Sequence, residues 1–301
     1  MHRNGVTIDF SSPSRLRPGP QTAVRLLSAL LLALVPGTVL WAATVVAEAG
    51  ENVDSGSRKV RVPAGLEVGV IDTGSGSVEL EDGASARRID TGSGRVYLGK
   101  GASSGNIDTG SGGVEMADRT RAGRIDTGSG PVRMGDDVEV KSIDTGSGGV
   151  EGGRNVVVDG KIDTGSGGVE LGEGARISGK IDTGSGGVDL RNAWVGQDID
   201  TGSGHIRLRD TTVEGEVRTR SGEVRLDGQT HVQGDLLVVK NSCWGLCWSN
   251  NPKPARVIIG AGARVDGTIR FEHDGELWVH EQARIGRVEG IQARRFSAES
   301  P

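Results

Sequence analysis

The sequence predicts an all-β protein built as a single β-solenoid (β-helix) of about thirteen coils of 18–19 residues, with three short strands per coil. Three observations carry this. The hexapeptide Ile-Asp-Thr-Gly-Ser-Gly occurs eight times, with its Ile at positions 71, 89, 107, 125, 143, 162, 181 and 199, and self-similarity at a fixed short period is the signature of a stacked repeat. Apolar residues alternate with polar ones between the copies, which is a strand signal. The chain of 301 residues holds 51 Gly and only 3% aromatic residues, against a usual Gly share of roughly 7%.

Each coil can be read in order. Ile-Asp-Thr gives the first in-out-in pair. Seven residues after the Ile comes a second: Val78, Val96, Val114, Val132, Val150, Val169, Val188 and Ile206, usually followed two residues on by Leu or Met, as at Leu80, Leu98, Met116, Met134, Leu171, Leu190 and Leu208. A third pair follows, as in Val138 with Val140 and Ala175 with Ile177. The same ruler extends upstream to Val53, Val60, Val62, Leu66 and Val68. Downstream it takes in Val217, Val224, Leu226, Leu236, Val257, Ile259, Ile269, Leu277, Val279 and Ile285, and then a partial coil from Val288. At about 4.8 Å per coil the rod is expected to be about 60 Å long. No coil is stable alone, since each pairs only with its neighbours. Narrow interiors suit Ile, Val, Leu, Ala and Thr better than rings. Gly at the corners accepts positive φ or close backbone approach. The end coils expose strand edges, and the tail from Ile291 to Pro301 is expected to cover one of them.

Residues 1–49 read as an export segment. Arg15, Arg17 and Arg25 precede an apolar run from Leu26 to Ala47, and the segment closes on Val46-Ala47-Glu48-Ala49. A positive start, an apolar middle and a small-residue site make a signal peptide. The alternative is an uncleaved anchor, because the run is long enough to span a bilayer. The expected domains are therefore 1–49, signal peptide or retained anchor, and 50–301, solenoid.

Composition excludes several classes. Collagen needs Gly at every third residue. Nucleic-acid binding needs a basic stripe, whereas the net charge is −5. Asp-Thr-Gly-Ser matches the string of pepsin-like proteases, but that chemistry needs two facing carboxylates sharing a proton, and a carboxylate recurring once per coil forms a column with no cleft.

That column poses a physical problem. Asp72, Asp90, Asp108, Asp126, Asp144, Asp163, Asp182 and Asp200 are expected to stack, and each neighbouring pair would repel by about 0.9 kcal/mol in water. Three sources of compensation suggest themselves. Turn amides could donate to each Asp, as in Asx-turns. Arg88, Arg124, Lys161 and Lys180 each stand two residues before an Asp on the same strand face. A row of Ca²⁺ on Asp90, Asp108, Asp126, Asp144, Asp163, Asp182 and Asp200 is the third, although one Asp per turn supplies few ligands. The Ser of each Gly-Ser-Gly gives a second polar column, expected to be a solvated corner.

An insertion at 239–256 replaces a corner that normally takes four residues, and it holds both cysteines and two of the five Trp. In an exported protein Cys243 and Cys247 are expected to form a disulfide. A metal site there falls short of four ligands. Trp244 and Trp248 mark the loop as a candidate binding tip, against a loop folded over the flank. His205 and His231 look isolated. His273 and His280 flank the acidic turn of Glu272, Asp274, Glu276 and Glu281, which reads as a solvated edge more readily than as a metal site. No catalytic residues and no cofactor-binding residues stand out.

The unit Ile-Asp-Thr-Gly-Ser-Gly-x-Val-x-Leu resembles the repeats of a bacterial adhesin-like family, a domain of unknown function with a β-solenoid fold, over residues 53–226. The later stretch Gly262-Ala263-Arg264-Val265-Asp266-Gly267-Thr268-Ile269 is similar to coils of bactofilins, which polymerise through solenoid ends. The first resemblance implies binding at the envelope and brings no catalytic residues with it.

The function expected from the sequence is that of a non-catalytic exported β-solenoid, an adhesin-like binding or spacer module of the bacterial envelope, in the periplasm or at the cell surface. Its expected partners are an envelope glycan or surface protein. Nucleic acid is not among them, and membrane is a partner only if the amino-terminal segment is retained. One alternative is a structural rod that self-associates through its end coils. A third class, a glycan-acting enzyme, needs a cleft with walls, which turns of two to four residues do not supply.

Overall fold

The computed structural model describes residues 44–240 and 254–298, and all of their regular structure is β. Every strand pairing is parallel, and successive coils sit in register, so that one coil's Ile-Asp-Thr lies on the next coil's Ile-Asp-Thr. The Ile column runs Val53, Ile71, Ile89, Ile107, Ile125, Ile143, Ile162, Ile181, Ile199, Val217, Leu236, Ile269, Val288, which makes thirteen rungs. The expected solenoid is the observed one.

The Val-x-Leu strands form one continuous sheet of 14 strands, from Val45–Val46 to Ala293–Phe296. The Ala-x-Val and Ile-Asp-Thr strands form the other two flanks. Their inward residues fill one core, in which Ile71, Leu80, Ile89, Leu98, Ile107 and Ile125 are fully buried. Where Leu or Met would be expected, the core has Gly152. A Cβ there would come within 2.7 Å of Leu171 and 3.1 Å of Val156, so its neighbours already fill the space.

The count of three strands per coil needs refinement. From Glu67 to Thr145 the third strand of one coil and the first strand of the next are one bent seven-residue strand, as in Ser85–Thr91 and Arg121–Thr127. From Val157 onward an extra residue enters the bend, as in Val158-Asp159-Gly160-Lys161-Ile162, and the strand divides into Val157–Val158 and Ile162–Thr164. The shift in motif spacing at residue 162 is this added corner residue.

The corners separate the two uses of small residues. At the corner after Val-x-Leu one residue per coil has positive φ. That residue is Gly at 83 and 101, but Arg119, Asp137, Asn155, Asn192 and Asp210 also take the position, Asn and Asp being the side chains that tolerate it best. The glycines of Gly-Ser-Gly are not in that region. A Cβ at Gly112 would overlap the carbonyl of Gly94 in the coil before it, and the same holds for Gly130 against Gly112. These glycines let backbone lie on backbone.

Of the tail expected to cover one end, residues 291–298 are described. Ala293–Phe296 pairs in parallel with Leu277–His280 and adds one more rung to the Val-x-Leu flank. It continues the sheet because its residues alternate at the same period as the strands before it.

Candidate functional site

The repeated hexapeptide shows what each of its positions does. Ile faces the core. Thr faces it too, and its buried hydroxyl donates to the carbonyl three residues on: Thr73 to Gly76 at 2.7 Å, Thr127 to Gly130 at 2.6 Å and Thr183 to Gly186 at 2.6 Å. In two coils the hydroxyl instead accepts an amide, from Gly94 to Thr91 at 2.9 Å and from Gly222 to Thr219 at 3.1 Å. The Ser amide donates to the Gly of the preceding coil, as Ser93 does to Gly74 at 3.0 Å, and the Ser side chains line the outer corner. Sequence reading placed Thr inside the coil but missed this hydroxyl bridge. The signal was present in the fixed Thr-x-x-Gly spacing.

The Asp column is real. Asp72, Asp90, Asp108, Asp126, Asp144, Asp163, Asp182 and Asp200 stack in register and end against Arg218. No turn amide of the described residues donates to them, which corrects the Asx-turn expectation. The reason is that the local amides are already engaged by the preceding coil, as Gly92 is by Thr73 O at 3.1 Å. Cations instead pair with six of the eight carboxylates. Arg88 binds Asp90 at 2.7 Å, Lys161 binds Asp163 at 2.8 Å and Lys180 binds Asp182 at 2.7 Å. Arg124 reaches both Asp126 at 2.8 Å and Asp144 at 3.4 Å. Hydrogen bonds to Asp163 and Asp182 hold the Lys161 and Lys180 ammonium groups above the ordinary lysine range.

The carboxylates that do accept amides lie at other corners, and each receives an amide of the next coil. Asp82 takes Lys100 N at 2.8 Å, Asp136 takes Arg154 N at 2.7 Å, Asp198 takes Glu216 N at 2.8 Å and Asp235 takes Thr268 N at 2.7 Å. The Arg154 guanidinium and amide together hold Asp136 below the usual carboxylate range.

With respect to metals, the Asp column offers one carboxylate per coil on a single face. Among the described residues no three His, Cys, Asp or Glu side chains converge as ligands. The histidines are engaged separately, which corrects the reading of His205 and His231 as isolated. Nε2 of His205 lies 2.6 Å from Asp189, and Nε2 of His231 lies 2.8 Å from Asp266. His273 reaches back across a coil to the carbonyl of Arg220 at 2.6 Å. His280 is buried edge-on against Phe296 with ring centroids 5.1 Å apart, so the two histidines of the acidic turn have separate partners. Cys243, Cys247, Trp244 and Trp248 lie outside the described residues.

The concavities are shallow. One of about 510 Å³ lies on the Val-x-Leu flank and is lined by residues that include Glu151, Glu170, Glu173, Asp189 and Arg191. Beside it a trough runs over Gly149, Gly168 and Gly187 to His205. The flanks are also laced by ion pairs between consecutive coils: Arg121 with Glu139 at 2.8 Å, Arg133 with Glu151 at 3.1 Å and Arg154 with Asp136 at 2.6 Å. Of the large apolar side chains described, only Val46 and Tyr97 are exposed.

Comparison with known proteins agrees with this architecture. Residues 124–236 match the family model described as Toastrack DUF4097, a β-solenoid domain of unknown function. The match covers the coils from Arg124 to Leu236, less than half of the chain. No curated protein and no solved structure matches the chain.

Proposed function

We propose that this chain is a non-catalytic, exported rod of the bacterial envelope, acting as an adhesin-like binding module or as a spacer of fixed length. One observation supports this most directly. Many outward positions of successive coils satisfy one another through ion pairs such as Arg121–Glu139 and Arg133–Glu151, so much of the flank charge is paired within the rod. Catalytic sites are walled pockets with a few convergent polar groups, and the short corners leave open grooves instead. What such a fold offers a cell is stiffness and reach.

The test uses purified chain, whole and lacking 240–254, applied to isolated envelope fractions and to a glycan array. Binding that disappears with the deletion places the contact on the Cys- and Trp-bearing loop. Binding that persists places it on the rod. An absence of any envelope partner ends the binding version, and turnover of any glycan ends the non-catalytic one. The spacer version is tested by excising residues 107–142, which removes two whole coils in register. A spacer folds normally and loses function with length.

A further inference from the structure

The inner column that begins at Ala47 and continues through Val62, Leu80, Leu98, Met116 and Met134 is apolar or Gly at every rung until the last one. Its later members are Gly152, Leu171, Leu190, Leu208, Leu226, Ile259 and Val279, each set on its predecessor by the parallel register. The rung after Val279 is Arg295. Strand alternation fixes which way it faces. Its neighbour Arg294 is outward, with its guanidinium 5.2 Å from the centre of the Trp278 ring and 3.1 Å from Glu276. Arg295 therefore occupies the inward column, where Val279 beneath it is fully buried, and it is itself exposed, with no other described strand paired to its own.

The surrounding end surface is apolar and incompletely covered. Ile285, Val288, Ile291 and Ala293 pack on the core from one side only and are half-buried, whereas Val265, Ile269 and Leu277 one coil earlier are buried. Among the described residues, the strands Arg284–Ile285 and Val288–Glu289 pair on one side only. An open edge over an apolar floor is a template for another chain. The chain whose strands would continue this register in parallel is a second copy of the solenoid. Such a head-to-tail contact does not close, and so it propagates.

We propose that Arg295 is the terminator of the solenoid: by placing a guanidinium in the inward column at the last rung, it prevents a second copy from adding its coils to the carboxy-terminal end. Addition would bury that charge without a partner, which is strongly unfavourable, and inward-pointing charge on an edge strand is a recognised device against such growth. The rod then keeps the length its own coils give it. This goes beyond the spacer reading and does not require the rod to have any particular ligand.

The test compares three full-length chains by sedimentation and light scattering over a range of concentrations: wild type, Arg295→Leu and Arg294→Leu. The two variants lose the same charge and gain the same side chain, but on opposite faces of one strand. The expected result is that Arg295→Leu alone gives an apparent mass that grows with concentration, while circular dichroism shows all three folded. Wild type that assembles as Arg295→Leu does would overturn the proposal. So would a folded Arg295→Leu chain that stays monomeric, or Arg294→Leu associating to the same degree.

Discussion

The hydroxyl of Thr127 lies inside the solenoid and donates to the carbonyl of Gly130 at 2.6 Å, closing the corner from within. Backbone at a corner turns away from its neighbours in the sheet and needs a local partner. The Thr provides one without leaving the core. Thr127→Val keeps the shape and removes the donor, so it is expected to cost about 1–2 kcal/mol, read as a lower urea midpoint with unchanged slope.

The two kinds of corner glycine respond differently to substitution. Gly112→Ala drives a Cβ into the carbonyl of Gly94, and backbone cannot swing aside as a side chain can. The expected loss is about 3 kcal/mol or more. Gly101 has positive φ and nothing within 4 Å of an added Cβ. Gly101→Asn is expected to cost about 1 kcal/mol or less, because Asn155 and Asn192 already hold that position in later coils. Equilibrium unfolding of both variants checks the order.

Arg124 holds two stacked carboxylates, Asp126 and Asp144. Arg124→Gln is expected to destabilise by at most about 1 kcal/mol, since exposed pairs contribute little. The loss should be largest at low ionic strength and should fade as salt screens the column. A loss independent of salt would mean that the packing of the Arg stem matters more than its charge.

Acid stability has a defined sign. Arg154 lowers Asp136, the Asp136 amide lowers Asp118, Arg121 lowers Glu139, and His231 with Arg264 lowers Asp266. In each case the unfolded chain takes up its proton first. The stabilisation is therefore complete above the ordinary carboxylate range of about 4 and is lost as pH falls below it through the folded values. At the other extreme, Lys161 and Lys180 are raised, so their contribution is lost only as pH climbs above about 10.4. Asp136→Asn should flatten the acid limb of a stability–pH curve and leave the alkaline limb unchanged.

The Asp column also makes calcium a discriminating reagent. A column neutralised by Arg88, Arg124, Lys161 and Lys180 predicts a melting temperature unaffected by added Ca²⁺ or chelator. A row of bound ions predicts a rise with Ca²⁺, since a ligand of the native state stabilises it by mass action.

Much of this molecule is legible in one dimension because a solenoid is nearly one-dimensional. Contacts run between a residue and its equivalent 18 or 19 positions away, so the recurrence of Ile-Asp-Thr-Gly-Ser-Gly fixes the coil, the inward columns and the stacking of Asp72 through Asp200. The cations Arg88, Arg124, Lys161 and Lys180 could be picked out by their place two residues before an Asp. The partners of His205, His231 and His273 could not, because those bonds cross between coils at offsets of 16, 35 and 53 residues.

The amino-acid order alone thus determined the architecture, the period and the identity of the core, since stacking repeats them without reference to anything distant. Only the assembled structure decided how each charge is satisfied and what the last rung presents. A carboxylate's partner depends on which amides the neighbouring coil has already engaged. Whether Arg295 faces in or out depends on the register of Ala293–Phe296 against Leu277–His280.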